Sequence, residues 1–287
     1  MNDKRAKEKR IGIIGVGNIG TSILRGLLAA DADIGRVRGK VLICDEQKDK
    51  LGFFEADPES GSRVVVCASN EEVAKGSEVI ILAVKPNDVG VVVKEIAPFM
   101  NEEKILISVA AGVQTSAIEE RLGEAKGRKV IRVMPNIGAR VGESVTALCK
   151  GKYAVEADEE IAKEILSAIG DVYVVKESDM DVITGLSGSG IAFFAAVIDA
   201  MADGGVYEGL PRELSLAIAA KTAFGAARLI LAGDTPSEIK AMTASPGGTT
   251  IRGLHAMESG AVKAAMMEAV IEATKRAREI SKMQNAK

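Results

Sequence analysis

The sequence predicts an α/β domain built on a mostly parallel sheet, followed by an all-α domain. The chain has 287 residues, a length typical of two domains rather than one. In its first half, short β-branched runs alternate with amphipathic stretches, as they do in βαβ units. After residue 176 no convincing strand remains. We therefore predict domains at residues 1–176 and 177–287.

Local patterns place the elements of both domains. Strands are predicted over residues 10–15, 40–45, 63–66, 78–84, 104–109, 128–135, 144–150 and 171–175. Helices between them are predicted around residues 18–30, 71–75, 88–100, 116–122 and 156–169. In the second domain, helices are predicted at residues 179–202, 211–232, 236–241, 250–257 and 260–283. Pro211 and Pro236 suit the first turns of two of these helices.

Composition argues against a polyanionic partner and for a reducing compartment. The net charge is −3, whereas non-specific nucleic-acid binders are normally basic. Cys44, Cys67 and Cys149 have the spacing of neither a metal site nor a disulfide framework, so we expect buried free thiols. The basic first ten residues lack the apolar stretch of a signal peptide and are interpreted as a solvated tail. A cytoplasmic protein that uses no metal is expected.

Two stretches of the second domain are apolar enough that we expect them to be buried. Residues 182–198 carry no charge, but they contain three glycines and are slightly short for a membrane span, so a buried core helix is expected. The helix over residues 211–232 is apolar on nearly every side and must be buried all round. A small helical domain cannot easily achieve this alone. We therefore predict an obligate homodimer, with a monomer wrapped by its own helices as the open alternative.

A glycine-rich turn follows the first predicted strand. Gly15-Val16-Gly17-Asn18-Ile19-Gly20 has the form G-x-G-x-x-G, and it opens a helix. This is the context of a Rossmann-type dinucleotide-binding turn, whereas a purely structural glycine turn is the weaker alternative. Gly15 permits the tight turn, Gly17 leaves room for a pyrophosphate, and Gly20 allows close packing of helix on strand. Free N–H groups at the helix start would attract the phosphates.

Asp45 ends the second strand, where an acidic residue usually accepts hydrogen bonds from the adenosine ribose and repels a 2′-phosphate. Lys48 and Lys50 follow and could partly offset this charge, although both can extend into solvent. For each lysine, a solvated charge is about as good an interpretation; for Asp45 it is less so. We expect NADH or NADPH as cofactor, with a preference for NADH.

Three further strand ends favour a cofactor floor. Ala83-Val84-Lys85-Pro86 ends the fourth strand, Ala110-Ala111-Gly112 the fifth and Met134-Pro135-Asn136 the sixth. In a doubly wound sheet, ligands bind at the carboxyl ends of the strands. One such segment alone would be better explained as an ordinary exit into a loop, but three at the same edge favour binding. Lys85 and Pro86 are expected near the nicotinamide ribose.

The second domain contains a candidate receptor for a carboxylate. Ser245-Pro246-Gly247-Gly248-Thr249-Thr250 opens a helix and offers exposed backbone N–H groups at its start. Thr250 adds a hydroxyl that can donate or accept a hydrogen bond. Ordinary capping by Ser245 or Thr249 is the alternative, and it is compatible with binding.

Several segments together resemble the pyrroline-5-carboxylate reductases. They are Ala83–Pro86, Ala110–Val113, Arg132–Asn136, Thr184–Gly190, Asp199–Val206, Gly209–Arg212 and Ser245–Thr250. They follow the family's order, and the resemblance runs from near residue 11 to about residue 280. The combination is highly specific, although each segment alone is not.

This resemblance implies a fold, a reaction and a site. The helical domain would interlock with a partner, in dimers that in this family often form decamers. The reaction would reduce Δ1-pyrroline-5-carboxylate to proline. The Ser245–Thr250 loop would hold the substrate carboxylate through N–H groups, including those of Gly247, Gly248 and Thr249. Thr250, the catalytic residue, would hydrogen-bond the ring nitrogen, and Asn70 would touch the adenosine ribose or its phosphate.

Departures from the family and rival activities bear on substrate scope. Ile137-Gly138 stands where Thr-Pro is usual, Ile191-Ala192-Phe193 where Pro-Ala-Tyr is usual, and Cys44-Asp45-Glu46 where small polar or basic residues are frequent. Reduction of another cyclic imine stays open. A β-hydroxyacid dehydrogenase is disfavoured because residues 177–220 contain no lysine. A non-catalytic nicotinamide sensor is disfavoured by the intact Ser245–Thr250 loop. His255, the only histidine, is expected to face the interior of its helix.

Overall fold

The computed structural model describes residues 9–29, 40–56, 63–123 and 127–286. Most of the predicted N-terminal tail lies outside these residues. Two compact units can be distinguished, Met1–Gly188 with Ala273–Lys287, and Ser189–Glu272. The predicted domain boundary near residue 176 marks the point after which the sequence shows no further strands. It differs from the borders of these two units and stays a prediction.

One sheet organises the first unit. Its strands are β1 (Ile11–Ile14), β2 (Val41–Cys44), β3 (Val64–Val66), β4 (Val79–Leu82), β5 (Ile105–Ser108), β6 (Lys129–Met134), β7 (Ser144–Lys150) and β8 (Gly170–Val174). Their order is β3-β2-β1-β4-β5-β6-β7-β8, and neighbours pair in parallel except for β6 with β7. The strand order reverses between β1 and β4, the point at which such sheets bind ligands. The predicted strands and the Rossmann-type fold are confirmed.

Helices cover the sheet and make up the rest of the chain. The first unit contains α1 (Asn18–Ala29), α2 (Lys48–Ala56), α3 (Asn70–Gly76), α4 (Val89–Ile96), α5 (Thr115–Leu122), α6 (Glu156–Leu166) and α7 (Met180–Ile183). The helices that follow are α8 (Gly190–Tyr207), α9 (Arg212–Leu231), α10 (Pro236–Thr243), α11 (Thr249–Ser259) and α12 (Val262–Asn285). In the described chain after residue 176 every regular element is helical, as predicted.

Alternation along the strands divides the core of the first unit into two layers. Ile13 and Ile81 belong to one buried cluster, whereas Ile14 and Ile80 belong to the other. Successive side chains of a strand point to opposite faces, and helices must cover both faces of a parallel sheet. Every residue of β1, β4 and β5 is therefore buried. Such strands require the near-continuous apolar runs seen in the sequence.

The second unit is built around the pair α8 and α9. At the start of α9, Arg212 donates hydrogen bonds to Asp199 and Asp203 of α8. Of the residues of α9, only Ser215 and Ala219 are buried. Among the residues that the structure describes, this helix is therefore left mostly exposed, and the predicted homodimer and its monomer alternative both stay predictions.

Two local features differ from the predicted elements. Helix α2 was not predicted, because Gly52 interrupts a stretch whose apolar pattern is weak. The predicted helix over residues 179–202 is interrupted, because residues 184–188 form a π-helical turn between α7 and α8. A Cβ at Gly185 in this turn would lie 2.3 Å from Oγ1 of Thr274 in α12. Close packing of the two backbones there requires glycine.

Candidate active site

A cavity of about 1200 Å³ opens at the carboxyl ends of β1, β4, β5 and β6. Predicted cofactor-binding residues line it: Gly17, Asn18, Ile19, Ala83, Val84, Lys85, Pro86, Ala110 and Ala111. Met134 and Pro135 complete the floor after β6. Because parallel strands end at a common edge, four segments that are distant in the sequence come together here. Contact of these residues with a cofactor stays a prediction.

The glycine turn has the shape that a dinucleotide requires. Gly15 has a φ of +95°, and a Cβ there would lie 2.6 Å from the carbonyl oxygen of Ala83. A Cβ at Gly20 would lie 2.0 Å from the carbonyl oxygen of Gly15. Around Gly17, by contrast, a Cβ would meet no atom within 4 Å. Gly15 and Gly20 therefore allow the turn to close, and Gly17 keeps the cavity side open for a pyrophosphate.

The electrostatics of this cavity favour an anion. The first turn of α1 points N–H groups without intrahelical acceptors toward the cavity, together with the positive end of the helix dipole. Arg25, Lys50, Lys85 and Arg140 also line the wall. Arg25 and Arg140 were not identified from the sequence, since neither lies in a recognisable motif. The residues present fit a diphosphate group.

Asp45 supports the glycine turn directly. Its Oδ2 accepts a 2.8 Å hydrogen bond from the backbone N–H of Val16, and its Oδ1 accepts one of 2.8 Å from Gln47. The Nζ of Lys50 lies 4.0 Å from Oδ1, and only 8% of the Asp45 side chain is exposed. Each carboxylate oxygen has a further lone pair, so Asp45 can still accept a hydrogen bond from a ribose hydroxyl.

A second cavity, of about 500 Å³, adjoins Asp45 on the side of α3. Asn70, which the family resemblance assigns to the adenosine end, lines this cavity together with Lys48. Asp45 and Asn70 thus share one cavity wall, although 25 residues separate them. Contact of these two side chains with the adenosine end of a cofactor stays a prediction.

The loop after β6 is fixed by a side-chain bridge. Nδ2 of Asn136 donates a 2.9 Å hydrogen bond to Oγ of Ser187 in the π-helical turn. Its Oδ1 accepts one of 3.0 Å from the N–H of Gly138. A Cβ at Gly138 would lie 2.4 Å from the carbonyl oxygen of Glu143. Gly138, where the family usually has proline, is therefore required by this tight turn.

The candidate carboxylate receptor lies in the second unit, where the loop before α11 leads into that helix. Gly248 is the N-cap residue of α11, and no side chain caps the helix. Gly247 has a φ of +71°, and the N–H of Gly248 donates 3.0 Å to the carbonyl oxygen of Ser245. Among the described residues, no side chain is seen to cap the first-turn N–H groups of α11, so they are available to a ligand. Thr249 and Thr250 form that first turn.

His255 does not face an interior in the single chain. It lies in the middle of α11 and is exposed, contrary to the sequence-based expectation. In α11 no residue is buried. The apolar face of this segment is therefore not covered by any part of the chain that the structure describes.

Comparison with known proteins agrees with this geometry. Residues 177–280 match the family model described as pyrroline-5-carboxylate reductase dimerisation. Residues 10–112 match the model described as NADP oxidoreductase, coenzyme F420-dependent. The pyrroline-5-carboxylate reductase of Methanosarcina acetivorans is 40% identical over 96% of this chain and 99% of its own length. The chain belongs to the pyrroline-5-carboxylate reductase family.

Solved structures of pyrroline-5-carboxylate reductases share the fold. The enzyme of Coxiella burnetii matches with a TM-score of 0.86 at 30% identity, covering 96% of this chain and 99% of that one. The enzyme of Plasmodium falciparum, solved with NADP bound, matches with a TM-score of 0.82 at 30% identity and the same coverage. The resemblance inferred from the sequence is confirmed.

Proposed function

We propose that this pyrroline-5-carboxylate reductase family member reduces Δ1-pyrroline-5-carboxylate to proline with a nicotinamide cofactor. The observation that carries the proposal is similarity along the whole chain, at 40% identity, to a reductase named for that substrate. The cavity at the sheet edge supports it, because its open glycine turn and basic wall suit a dinucleotide.

The residues of the chain would position and stabilise rather than supply a strong acid. Uncapped N–H groups before α11 would bind the substrate carboxylate. The Thr250 hydroxyl would hydrogen-bond the ring nitrogen, accepting from its N–H when the imine reacts as the protonated iminium. A bound nicotinamide would supply the hydride to C5. Positioning and hydrogen bonding carry most of such a reaction, and no histidine acid–base pair is required.

The proposed cofactor preference is for NADH. Asp45 would place a carboxylate beside the ribose 2′ position, and two unit charges about 4 Å apart interact by roughly 4 kcal/mol at an effective dielectric near 20, before salt screening. The Plasmodium falciparum relative solved with NADP bound opposes this preference, and Lys48 and Lys50 reduce it. The side chain of Lys50 is 41% exposed, so it screens Asp45 only weakly.

We also propose a cytoplasmic homodimer that assembles through α8 and α9. As is frequent in the family, five such dimers would associate into a decamer. By length and composition alone, Glu177–Tyr207 and Arg212–Leu231 could each cross a membrane, with mean hydropathies of 1.6 and 1.5. The match to a dimerisation model over residues 177–280 favours cover by a second subunit instead. If the full chain were recovered in the membrane fraction and could be extracted only with detergent, the proposed cytoplasmic dimer would be contradicted.

A label-transfer experiment tests the reaction itself. The full chain is supplied with Δ1-pyrroline-5-carboxylate and with NADH or NADPH that carries deuterium at both C4 positions of the nicotinamide. We expect proline that carries a single deuterium at C5, found by mass spectrometry. Unlabelled substrate recovered intact, while the protein binds nucleotide, would favour the sensor alternative.

A further inference from the structure

Glu95 on α4 lies outside the dinucleotide motif, yet it lines the same cavity as Asp45 and Asn70. Its Oε2 accepts a 2.8 Å hydrogen bond from Nδ2 of Asn70. An ionised carboxylate accepts hydrogen bonds and donates none. The amide nitrogen of Asn70, not its oxygen, must therefore face Glu95, and the chemistry of the pair fixes which way the amide is turned.

The backbone at Asn70 is held separately. Asn70 opens α3, directly after the N-cap residue Ser69, whose Oγ accepts a 3.2 Å hydrogen bond from the N–H of Glu72. In turn, Oε2 of Glu72 accepts a 2.8 Å hydrogen bond from the N–H of Ala68. This reciprocal cap fixes the start of the helix. What Asn70 can offer a ligand then depends on its side chain, and Glu95 controls that side chain.

We propose that Glu95 is a specificity-determining residue that disfavours a 2′-phosphorylated adenosine by occupying Asn70. The inference rests on the proposed function, because it assumes that a nicotinamide dinucleotide binds here. Asn70 keeps one N–H donor and its carbonyl oxygen for a ligand. A free 2′-hydroxyl can donate or accept, so it pairs with either group. A phosphate dianion only accepts, so it can use only the remaining N–H.

That phosphate would share one NH2 group with Glu95. Two acceptors at about 2.9 Å from one nitrogen, roughly 120° apart, lie about 5 Å from each other. Two anions at this separation lie within the Debye length of about 8 Å at physiological salt, so screening does not remove their repulsion. The other charged residues of this cavity are three acids, Asp45, Glu46 and Glu71, and one base, Lys48. The surroundings therefore add to the repulsion.

The test is Glu95→Gln, which keeps the side-chain length, removes the charge and lets the Asn70 amide turn. Glu71→Gln is the matched control, since it removes the same charge beside the same cavity without a bond to Asn70. Calorimetric titration with adenosine 2′,5′-bisphosphate and with 5′-AMP measures binding without any turnover. Steady-state kinetics on Δ1-pyrroline-5-carboxylate with NADPH and NADH follow.

For Glu95→Gln we expect the affinity for the bisphosphate relative to 5′-AMP to rise about tenfold. Removal of one negative charge about 5 Å from the phosphate accounts for a change of this size. The NADPH-to-NADH ratio of kcat/KM should rise by a similar factor, mainly through KM. Glu71→Gln should change either ratio less than about twofold. In an Asn70→Ala background the Glu95→Gln effect should be clearly smaller, because the part that acts through the Asn70 amide is lost and only direct charge repulsion remains.

An unchanged ratio in Glu95→Gln, an equal change in Glu71→Gln, or an effect of undiminished size in Asn70→Ala would overturn the proposal. Matching melting temperatures establish that each variant is folded. The nucleotide titrations decide this inference even if the parent protein shows no turnover with either cofactor. Absence of turnover with both cofactors would contradict the proposed function but not the proposed role of Glu95.

Discussion

The two units bury their apolar residues very differently. In the first, every residue of β1, β4 and β5 is buried between two helical layers. In the second, α10 and α11 bury none of their residues, and large side chains such as Phe224 and Ile230 are 49% and 48% exposed. Extended apolar surface of this kind marks an interface. The candidate cofactor edge therefore belongs to a unit whose strands are fully buried, whereas the candidate carboxylate receptor belongs to a unit whose apolar surface is left exposed.

An aspartate placed on each unit tests this contrast most severely. Ile218 on α9 is 50% exposed and Val91 on α4 is 61% exposed in the single chain. If a partner covers α9, Ile218→Asp buries an unpaired charge at a cost of roughly 3–5 kcal/mol, and the assembly should dissociate on dilution. Val91→Asp should change stability by no more than about 0.5 kcal/mol.

Light scattering and thermal melting across a dilution series measure both effects. Parent-like mass and melting in Ile218→Asp would mean that the second unit needs no partner. A folded, active monomer of the parent chain would have the same meaning.

Thr250→Ala should reduce catalysis while leaving the first unit untouched. Loss of a hydrogen bond made mainly in the transition state should cost roughly 2–4 kcal/mol in kcat/KM. The cofactor dissociation constant and the melting temperature should not change. Thr249→Ala, which retains its backbone N–H, should lose far less. Wild-type turnover in Thr250→Ala would remove this residue from the reaction.

Gly17→Ala should affect the cofactor edge and nothing else. A Cβ there meets no protein atom within 4 Å, so the fold and the assembly should persist. The added methyl group would occupy space proposed for the pyrophosphate, and we expect the dissociation constant of NADH to rise tenfold or more, about 1.4 kcal/mol. Titration of nucleotide fluorescence measures this change. Unchanged affinity would place the pyrophosphate elsewhere.

Asp45→Asn separates the charge of Asp45 from its support of the glycine turn. The side-chain oxygen of an asparagine can still accept a hydrogen bond from the N–H of Val16. A serine is shorter and would accept this bond less well. The NADPH-to-NADH ratio of kcat/KM should rise severalfold, up to about tenfold. Glu46→Gln, a neighbouring exposed charge, serves as the control. A parent enzyme that already favours NADPH would show that Asp45 does not discriminate at the ribose.

The smallest effect is expected at the buried thiols of the first unit. Burial raises the pKa of Cys149 to about 12, and burial likewise raises the pKa of Cys44 and Cys67. A raised thiol pKa leaves little thiolate at pH 8, so iodoacetamide should label these residues slowly in the native protein and fully in denaturant. Rapid native labelling would indicate that the layers of this core open.

Sequence patterns located the elements whose residues are buried on both faces. The boundaries of β7 match the predicted residues 144–150, because a mostly apolar run there is bounded by the polar residues Ser144 and Lys150. Helix α2 was missed because Gly52 weakens its pattern, and among its described side chains only Leu51 and Phe54 are buried. The predicted binding segments after β4 and β5 do line the cavity, since the strand-end rule is geometric.

Contacts between distant segments had no sequence signal. The hydrogen bond from Asn70 to Glu95 joins two different helices, and the one from Val16 to Asp45 joins the ends of two strands. Each depends on tertiary packing rather than on local spacing. The exposure of His255 was missed for a related reason, because an apolar face does not show whether its cover comes from the same chain.

Steady-state kinetics on Δ1-pyrroline-5-carboxylate, with NADH and NADPH side by side and proline identified as the product, test the central claim most directly. The full oligomeric chain should form proline with either cofactor, with the higher kcat/KM for NADH. No proline with either cofactor, from a protein that is folded, assembled and able to bind the nucleotide, would contradict it.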